Sequence, residues 1–175
     1  MLPQISIKTL YSLALAEGEG VGTAYEYFAK RLILAGWLKG KTRPRRLLIA
    51  GLPQKYGASL DFLKVAADLD AAVTIADDRP QAFARLQAAL NEVKVVGQLQ
   101  NVDPDFCLVK DIATFSEIAG PYDLVLSCEV LQRIAPIQRP RYVSRLLHLT
   151  DQAAIFVPND DNPAHTDLSK LSGLK

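Results

Sequence analysis

The stretch that decides the fold is Leu47-Leu48-Ile49-Ala50-Gly51. Its four consecutive apolar residues are typical of a buried strand, and the glycine marks the end of that strand. Val73-Thr74-Ile75-Ala76 is a second apolar run, and it ends at Asp77. Three further runs lie at residues 106–109, 124–126 and 153–157. Strands that are apolar throughout, rather than alternately apolar and polar, are typical of a parallel sheet whose two faces are both covered.

Helical patterns separate these runs. Residues 59–69 and 140–149 carry apolar side chains at helical spacing. Asp78-Arg79-Pro80-Gln81 is typical of a helix start, with Asp78 as the N-cap and Pro80 in the first turn. Strands that alternate with helices, joined by right-handed crossovers, predict an α/β fold of the Rossmann-like, doubly wound kind. We expect a mainly parallel sheet of about five strands with helices on both faces.

The start of the chain is predicted to be helical and to precede the sheet. A helix over residues 23–38 is expected to bury the apolar positions Tyr27, Phe28, Leu32, Ala35 and Leu38, and to leave Lys30 and Arg31 outside. We therefore divide the single compact unit into residues 1–42, a helical segment packed on the core, and residues 43–175, the Rossmann-like domain.

Composition excludes several classes of protein. A chain of 175 residues with 49% hydrophobic residues is long and apolar enough for one stable core without disulfides or metals. The net charge of +1 gives no field that would attract nucleic acid, and the five cations of residues 39–46 are interpreted as a solvated loop. No apolar run approaches the ~18 residues that span a membrane. Cys107 and Cys128 form no CxxC motif, which favours a reduced, cytoplasmic protein without a thiolate metal site.

Polar or flexible residues follow four of the strands, where ligands bind in open α/β sheets. A loop from Gly51 to Gly57 follows the first strand, and Asp77-Asp78 the second. Asp111-Ile112 follows the third strand, and Ser127-Cys128-Glu129 closes the fourth. A carboxylate in the position of Asp77 can accept two hydrogen bonds from a ribose diol, and Asp111 can accept one from an exocyclic adenine amine.

Residues 122–134, Tyr-Asp-Leu-Val-Leu-Ser-Cys-Glu-Val-Leu-Gln-Arg-Ile, resemble the fourth-strand segment of class I S-adenosylmethionine-dependent methyltransferases of the type 11 kind. The resemblance implies S-adenosylmethionine as cofactor, with Asp77 on the ribose and Asp111-Ile112 at the adenine. The strand ends and the resemblance together give the full set of predicted cofactor-binding residues: Gly51, Gly57, Asp77, Asp78, Asp111, Ile112, Ser127 and Glu129.

The first glycine loop departs from that family in two places. The family's acid, two residues before the first glycine, is here Ile49, and Pro53 stands in the place of the second glycine. Ile49 cannot accept a hydrogen bond and Pro53 has no N–H to donate, so we expect weaker cofactor binding than is usual for the family. The alternative is a non-catalytic, methyltransferase-like binding or assembly module. A nicotinamide-dependent oxidoreductase is disfavoured, because GxGxxG is absent.

Methyl transfer from a sulfonium requires mainly alignment and exclusion of water, so no catalytic residue is assigned. The expected methyl acceptor is a small molecule, with neither nucleic acid nor a membrane as partner. Since no later segment has a clear strand pattern, the fifth strand is expected at the edge of the sheet. A homodimer through that edge is the predicted assembly.

Overall fold

A computed structural model describes residues 2–54 and 58–158. Its centre is a five-stranded sheet in which every pairing is parallel, in the order β3-β2-β1-β4-β5. The strands are β1 (Arg46–Ala50), β2 (Ala72–Asp77), β3 (Asp105–Leu108), β4 (Leu124–Cys128) and β5 (Ala153–Phe156). The predicted Rossmann-like α/β class is confirmed.

Five α-helices surround this sheet in the described ranges: α1 (Ile7–Ala16), α2 (Val21–Trp37), α3 (Leu60–Leu69), α4 (Pro80–Val95) and α5 (Arg139–Leu149). Two short 3-10 helices, Leu131–Arg133 and Pro136–Gln138, connect β4 to α5. None of the described helices has the length and apolar character needed to cross a membrane.

The apolar runs are explained by two cores, one on each face of the sheet. Leu47 and Ile49 of β1 belong to a core that includes residues of α1, α2, α3 and α4. Leu48 and Ala50 point to the other face, where they join a core with α5 and residues 109–118. Successive side chains of a strand point to opposite faces, so a strand buried on both faces has no polar positions.

The prediction for the inward face of α2 is correct for Tyr27 and Leu38, which are buried, and for Phe28 and Ala35, which pack against the core. It was wrong for Leu32 and for the two cations. Leu32 is 58% exposed, whereas Arg31 and most of Lys30 are buried. Both cations are held by acids of α3: Arg31 contacts Asp68 at 2.6 Å and Lys30 contacts Asp61 at 2.8 Å. A buried charge is tolerated when an opposite charge pairs with it. The two acids lie more than 30 residues away in the sequence, so the spacing of apolar residues within α2 could not predict these pairs.

The start of α4 also differs from the prediction. The N-cap is Arg79 rather than Asp78, Pro80 is the first helical residue, and no side chain caps the helix. The Asp78 carboxylate instead accepts a hydrogen bond from Arg133 at 2.7 Å. The division at residue 42 stays a prediction, as does the dimer through the sheet edge, although β5 is an edge strand of the described sheet.

Candidate functional site

The candidate site lies at the carboxyl edge of the sheet, around the ends of β1, β2 and β4. The Gly51 N–H donates to the Ala76 carbonyl at 2.7 Å, which holds the start of the first loop against β2. Gly51 has a φ of 84°, in the left-handed region that favours glycine. A Cβ there would lie 2.7 Å from Val130 Cγ2 and 3.3 Å from Ile112 Cδ1. Gly51 therefore permits both a turn and close packing of two side chains.

Asp77, the predicted ribose acceptor, is completely buried and bound by the chain itself. Its Oδ2 accepts hydrogen bonds from the Leu52 N–H at 2.7 Å, from Arg79 Nη2 at 3.0 Å and from Arg133 Nη2 at 2.8 Å. Its Oδ1 accepts from the Arg79 N–H and from Arg79 Nε at 3.0 and 2.8 Å. A carboxylate offers about four lone-pair sites, so these five contacts fill it.

The Asp77 carboxylate is ionised at neutral pH. Burial raises the pKa of Asp77, but the hydrogen bonds from Arg79 and the charge of Arg133 outweigh it and hold the pKa below its usual value. Arg133 also binds Asp78 through Nη1, so one guanidinium spans both acids. We name Asp77, Asp78, Arg79 and Arg133 the arginine–aspartate cluster. A ribose diol could bind Asp77 only after Arg133 withdrew.

Asp111 and Ile112 follow the carboxyl end of β3 and differ in their surroundings. The Asp111 side chain is half-buried, and its Oδ1 accepts a hydrogen bond from the Ala113 N–H at 2.9 Å. Ile112 is buried in the core on the α5 face, where its Cδ1 lies close to Gly51. The Asp111 carboxylate thus shapes a turn and is partly accessible, whereas the Ile112 side chain packs on the sheet.

Ser127 and Glu129 end β4 in two different ways. Ser127 is buried and shares a 2.7 Å hydrogen bond with the Tyr142 hydroxyl, which donates to the Ala50 carbonyl at 2.8 Å. Ser127 therefore joins β4, α5 and β1 inside the core. Glu129 is buried with a φ of 56°, and its N–H donates to the Phe156 carbonyl at 2.9 Å. The left-handed backbone of Glu129 turns the chain away from the sheet directly after β4.

The structure brings Gly51, Asp77, Asp78 and Ile112 together, and Tyr142 links the buried Ser127 to the Ala50 carbonyl beside Gly51. Gly57 lies outside the described residues. None of these placements tests cofactor binding, so the assignments stay predictions. Arg79 and Arg133 were missed, although Arg133 occupies the basic position of the fourth-strand motif, which was a usable signal.

A second polar group was also missed, between α2 and α3 at the end of β4. We name Glu17, Tyr27, Lys30, Asp61 and Cys128 the buried polar cluster. Lys30 Nζ pairs with Asp61 Oδ2 at 2.8 Å, donates to Cys128 Sγ at 3.6 Å and lies 4.7 Å from the centre of the Tyr27 ring. Burial lowers the pKa of Lys30, but the Asp61 charge outweighs it, so the pKa lies above its usual value and the amine is charged.

Burial raises the pKa of two groups in the buried polar cluster, the Cys128 thiol and the Glu17 carboxyl. Burial raises the pKa of Cys128 to about 12, so the residue is a neutral core thiol and not a nucleophile. Burial raises the pKa of Glu17 to about 7. Glu17 accepts hydrogen bonds from the Tyr27 hydroxyl and, at 2.7 Å, from the Leu60 N–H. It thereby supplies the capping acceptor for α3, whose own N-cap Ser59 makes no side-chain cap.

Sequence comparisons give no family for the chain: it matches no protein-family model and no curated protein. Solved structures do match. ChlM, the magnesium protoporphyrin IX methyltransferase of Synechocystis, with bound S-adenosylhomocysteine, is 17% identical with a TM-score of 0.54, over 96% of this chain and 67% of that one. The N-methyltransferase NodS of Bradyrhizobium japonicum, also with bound S-adenosylhomocysteine, is 16% identical with a TM-score of 0.52, over 95% and 66%.

The methyltransferase domain of the bacterial protein CtHen1-CN is 15% identical with a TM-score of 0.56, over 81% of this chain and 72% of that one. The first matched structures are covered over 35% to 72% of their own length, about half in several cases. At these identities the likeness concerns the fold, and the fold that the resemblance implied is confirmed. The chain has the fold of class I S-adenosylmethionine-dependent methyltransferases.

Proposed function

We propose that the chain is an S-adenosylmethionine-dependent methyltransferase that acts on a small molecule. The observation that carries this proposal is the position of Gly51, Asp77 and Asp111 at the carboxyl edge of a β3-β2-β1-β4-β5 sheet, where open α/β sheets bind ligands. ChlM and NodS share the fold and hold S-adenosylhomocysteine in their structures. The net charge of +1 favours a small acceptor over nucleic acid.

Two acids of the chain would hold the nucleoside. Asp77 would accept from the ribose once Arg133 withdrew, and Asp111 would accept from the adenine through its partly accessible carboxylate. Bound S-adenosylmethionine supplies an activated methyl group. The chain's own task is then to align the acceptor and to exclude water.

A second candidate function, a non-catalytic binding or assembly module, is favoured by one specific observation. The Asp77 carboxylate is already filled by Leu52, Arg79 and Arg133. Ile49, in the position of the family's acid, is completely buried in an apolar core. A domain that kept the fold but lost the cofactor would have this arrangement.

Calorimetric titration of the full chain with S-adenosylhomocysteine, S-adenosylmethionine and NAD separates these functions. The methyltransferase proposal expects binding of the first two, with dissociation constants of about 10 μM to 1 mM. Asp111→Asn should weaken that binding about tenfold, the effect of one charge-assisted hydrogen bond. Asp105→Asn is the matched control, because Asp105 is exposed at the opposite end of β3. Binding of neither compound by the chain or by a variant that frees Asp77 would favour the module.

A further inference from the structure

The outer face of α2 is apolar and exposed, although a surface helix ordinarily turns charged residues to solvent. The helix buries Ala24, Tyr27, Arg31 and Leu34. At 100° per residue, the opposite side of the helix carries Gly22, Tyr25, Ala29, Leu32, Ile33 and Gly36, which we name the outer face of α2. It includes no charged residue. Tyr25, Leu32 and Ile33 are 58% to 68% exposed, and Val21 at its margin is 72% exposed.

Two glycines on this face have no explanation within the described chain. A Cβ built on Gly22 or on Gly36 would meet nothing within 4 Å. Gly22 is the second residue of α2 and Gly36 the last but one, and neither has a positive φ, so neither space nor backbone conformation requires a glycine there. Together with Ala29, the glycines place a small residue at every seventh position of α2. Small residues at this spacing permit another helix to approach closely along the whole face.

Two residue pairs of the face repeat about Ala29, which points to a second copy of the chain as the occupant, whereas the counterpart of Leu32 is Glu26. Gly22 and Gly36 each lie seven residues from Ala29, and Tyr25 and Ile33 each lie four residues away. Two antiparallel copies of α2 related by a twofold axis at Ala29 would pair glycine with glycine and Tyr25 with Ile33. A twofold interface requires a self-complementary patch of this kind.

The area of the face is sufficient for such a pair. From their exposed fractions, Val21, Tyr25, Leu32 and Ile33 offer about 500 Å² of apolar surface on each copy. Two copies would bury at most about 1,000 Å², which is the size of a weak and reversible interface. We propose that the outer face of α2 is the interface of an antiparallel homodimer, which forms at micromolar concentrations and is distinct from the β5 edge of the sheet.

Sedimentation of the full chain between about 1 and 100 μM tests the proposal. The wild-type chain should associate with rising concentration. Leu32→Glu should weaken association at least tenfold, because it places a second carboxylate opposite Glu26 of the other copy. The matched control is Leu147→Glu on α5, because Leu147 is 59% exposed and lies on another helix. This control should associate as the wild-type chain does. A wild-type chain that remains monomeric throughout, or a Leu32→Glu variant that associates normally, would overturn the proposal.

A cysteine crosslink tests the geometry without a change of charge. In a Cys107→Ser background, Ala29→Cys should form a disulfide-linked dimer under mild oxidation, because the twofold axis brings the two copies of residue 29 together. Cys128 is buried and does not compete. Ile137→Cys, on the exposed connection to α5, should remain mostly uncrosslinked at the same concentration. Equal crosslinking at positions 29 and 137 would contradict antiparallel pairing about Ala29.

Discussion

Arg133→Met should tighten the binding of S-adenosylhomocysteine if Asp77 is the ribose acceptor. The Arg133 side chain is 9% exposed, and its guanidinium donates to Asp77 at 2.8 Å and to Asp78 at 2.7 Å. Methionine keeps an unbranched apolar side chain in that space and removes the charge and the donors. Asp77 would remain paired with Arg79 and hydrogen-bonded to Leu52, so its carboxylate would stay ionised, and a ribose hydroxyl could take the place of the Arg133 donor on Oδ2.

The size of the effect follows from the contacts that a ribose diol must replace. A hydrogen bond to a charged group contributes about 1.5–3 kcal/mol. If the ligand has to break the Arg133–Asp77 bond before it binds, its affinity is lowered by that amount, or by about 10- to 100-fold. Removal of the guanidinium should therefore raise the affinity for S-adenosylhomocysteine by about 10- to 100-fold.

Calorimetric titration of the wild-type chain, Arg133→Met and Arg145→Met with S-adenosylhomocysteine measures this change in affinity. Arg145 is the control because its guanidinium donates to the backbone carbonyls of Phe115 and Ile118, away from Asp77. We expect Arg133→Met to bind more tightly and Arg145→Met to bind as the wild-type chain does. Unchanged or weaker binding by Arg133→Met would refute the reasoning, because Arg133 would then not compete with the ribose for Asp77.

Three further predictions concern stability, each measured by urea unfolding. Glu17 binds its proton more tightly in the folded state, so the free energy of unfolding should fall by about 3 kcal/mol as pH rises from 4.5 through about 7; Glu17→Gln should abolish this slope, and an unchanged slope would assign it to another group. Lys30→Met should destabilise the fold by about 3–5 kcal/mol, because Asp61 is left buried without a cation, and Lys30→Met with Asp61→Leu should recover part of the loss. Gly51→Ala should destabilise by at least about 2 kcal/mol, through its left-handed backbone and its contact with Val130; a neutral effect would mean that the loop relaxes freely.

The structure changes one experiment that the sequence alone would suggest. Restoring the family's acid as Ile49→Asp would place a carboxylate in the apolar core that contains Leu47 and Leu126, and an unpaired buried charge is strongly destabilising. Pro53→Gly alone is the better variant, since Pro53 lies in the loop after β1 and its replacement restores one N–H.

The sequence by itself determined the strands and their order of appearance. The run Leu47–Ala50 is buried on both faces of the sheet. Burial on both faces requires apolar residues at consecutive positions, and such a run is visible in the sequence. The fourth-strand motif at residues 122–134 likewise pointed to the methyltransferase fold, because it combines a strand with the loop that ends it. These features were predictable because each depends on neighbours in the chain.

Only the tertiary structure decided which groups the polar side chains meet. Asp77 is bound by Arg133, 56 residues away, and Lys30 is buried because Asp61 lies opposite it on another helix. Periodicity did not distinguish the two apolar faces of α2, since Leu34 and Leu32 are equally apolar; packing against α1 and the ion pairs with α3 select the inner face. Charge pairing over long separations depends on how elements pack, and no local pattern in the chain records it.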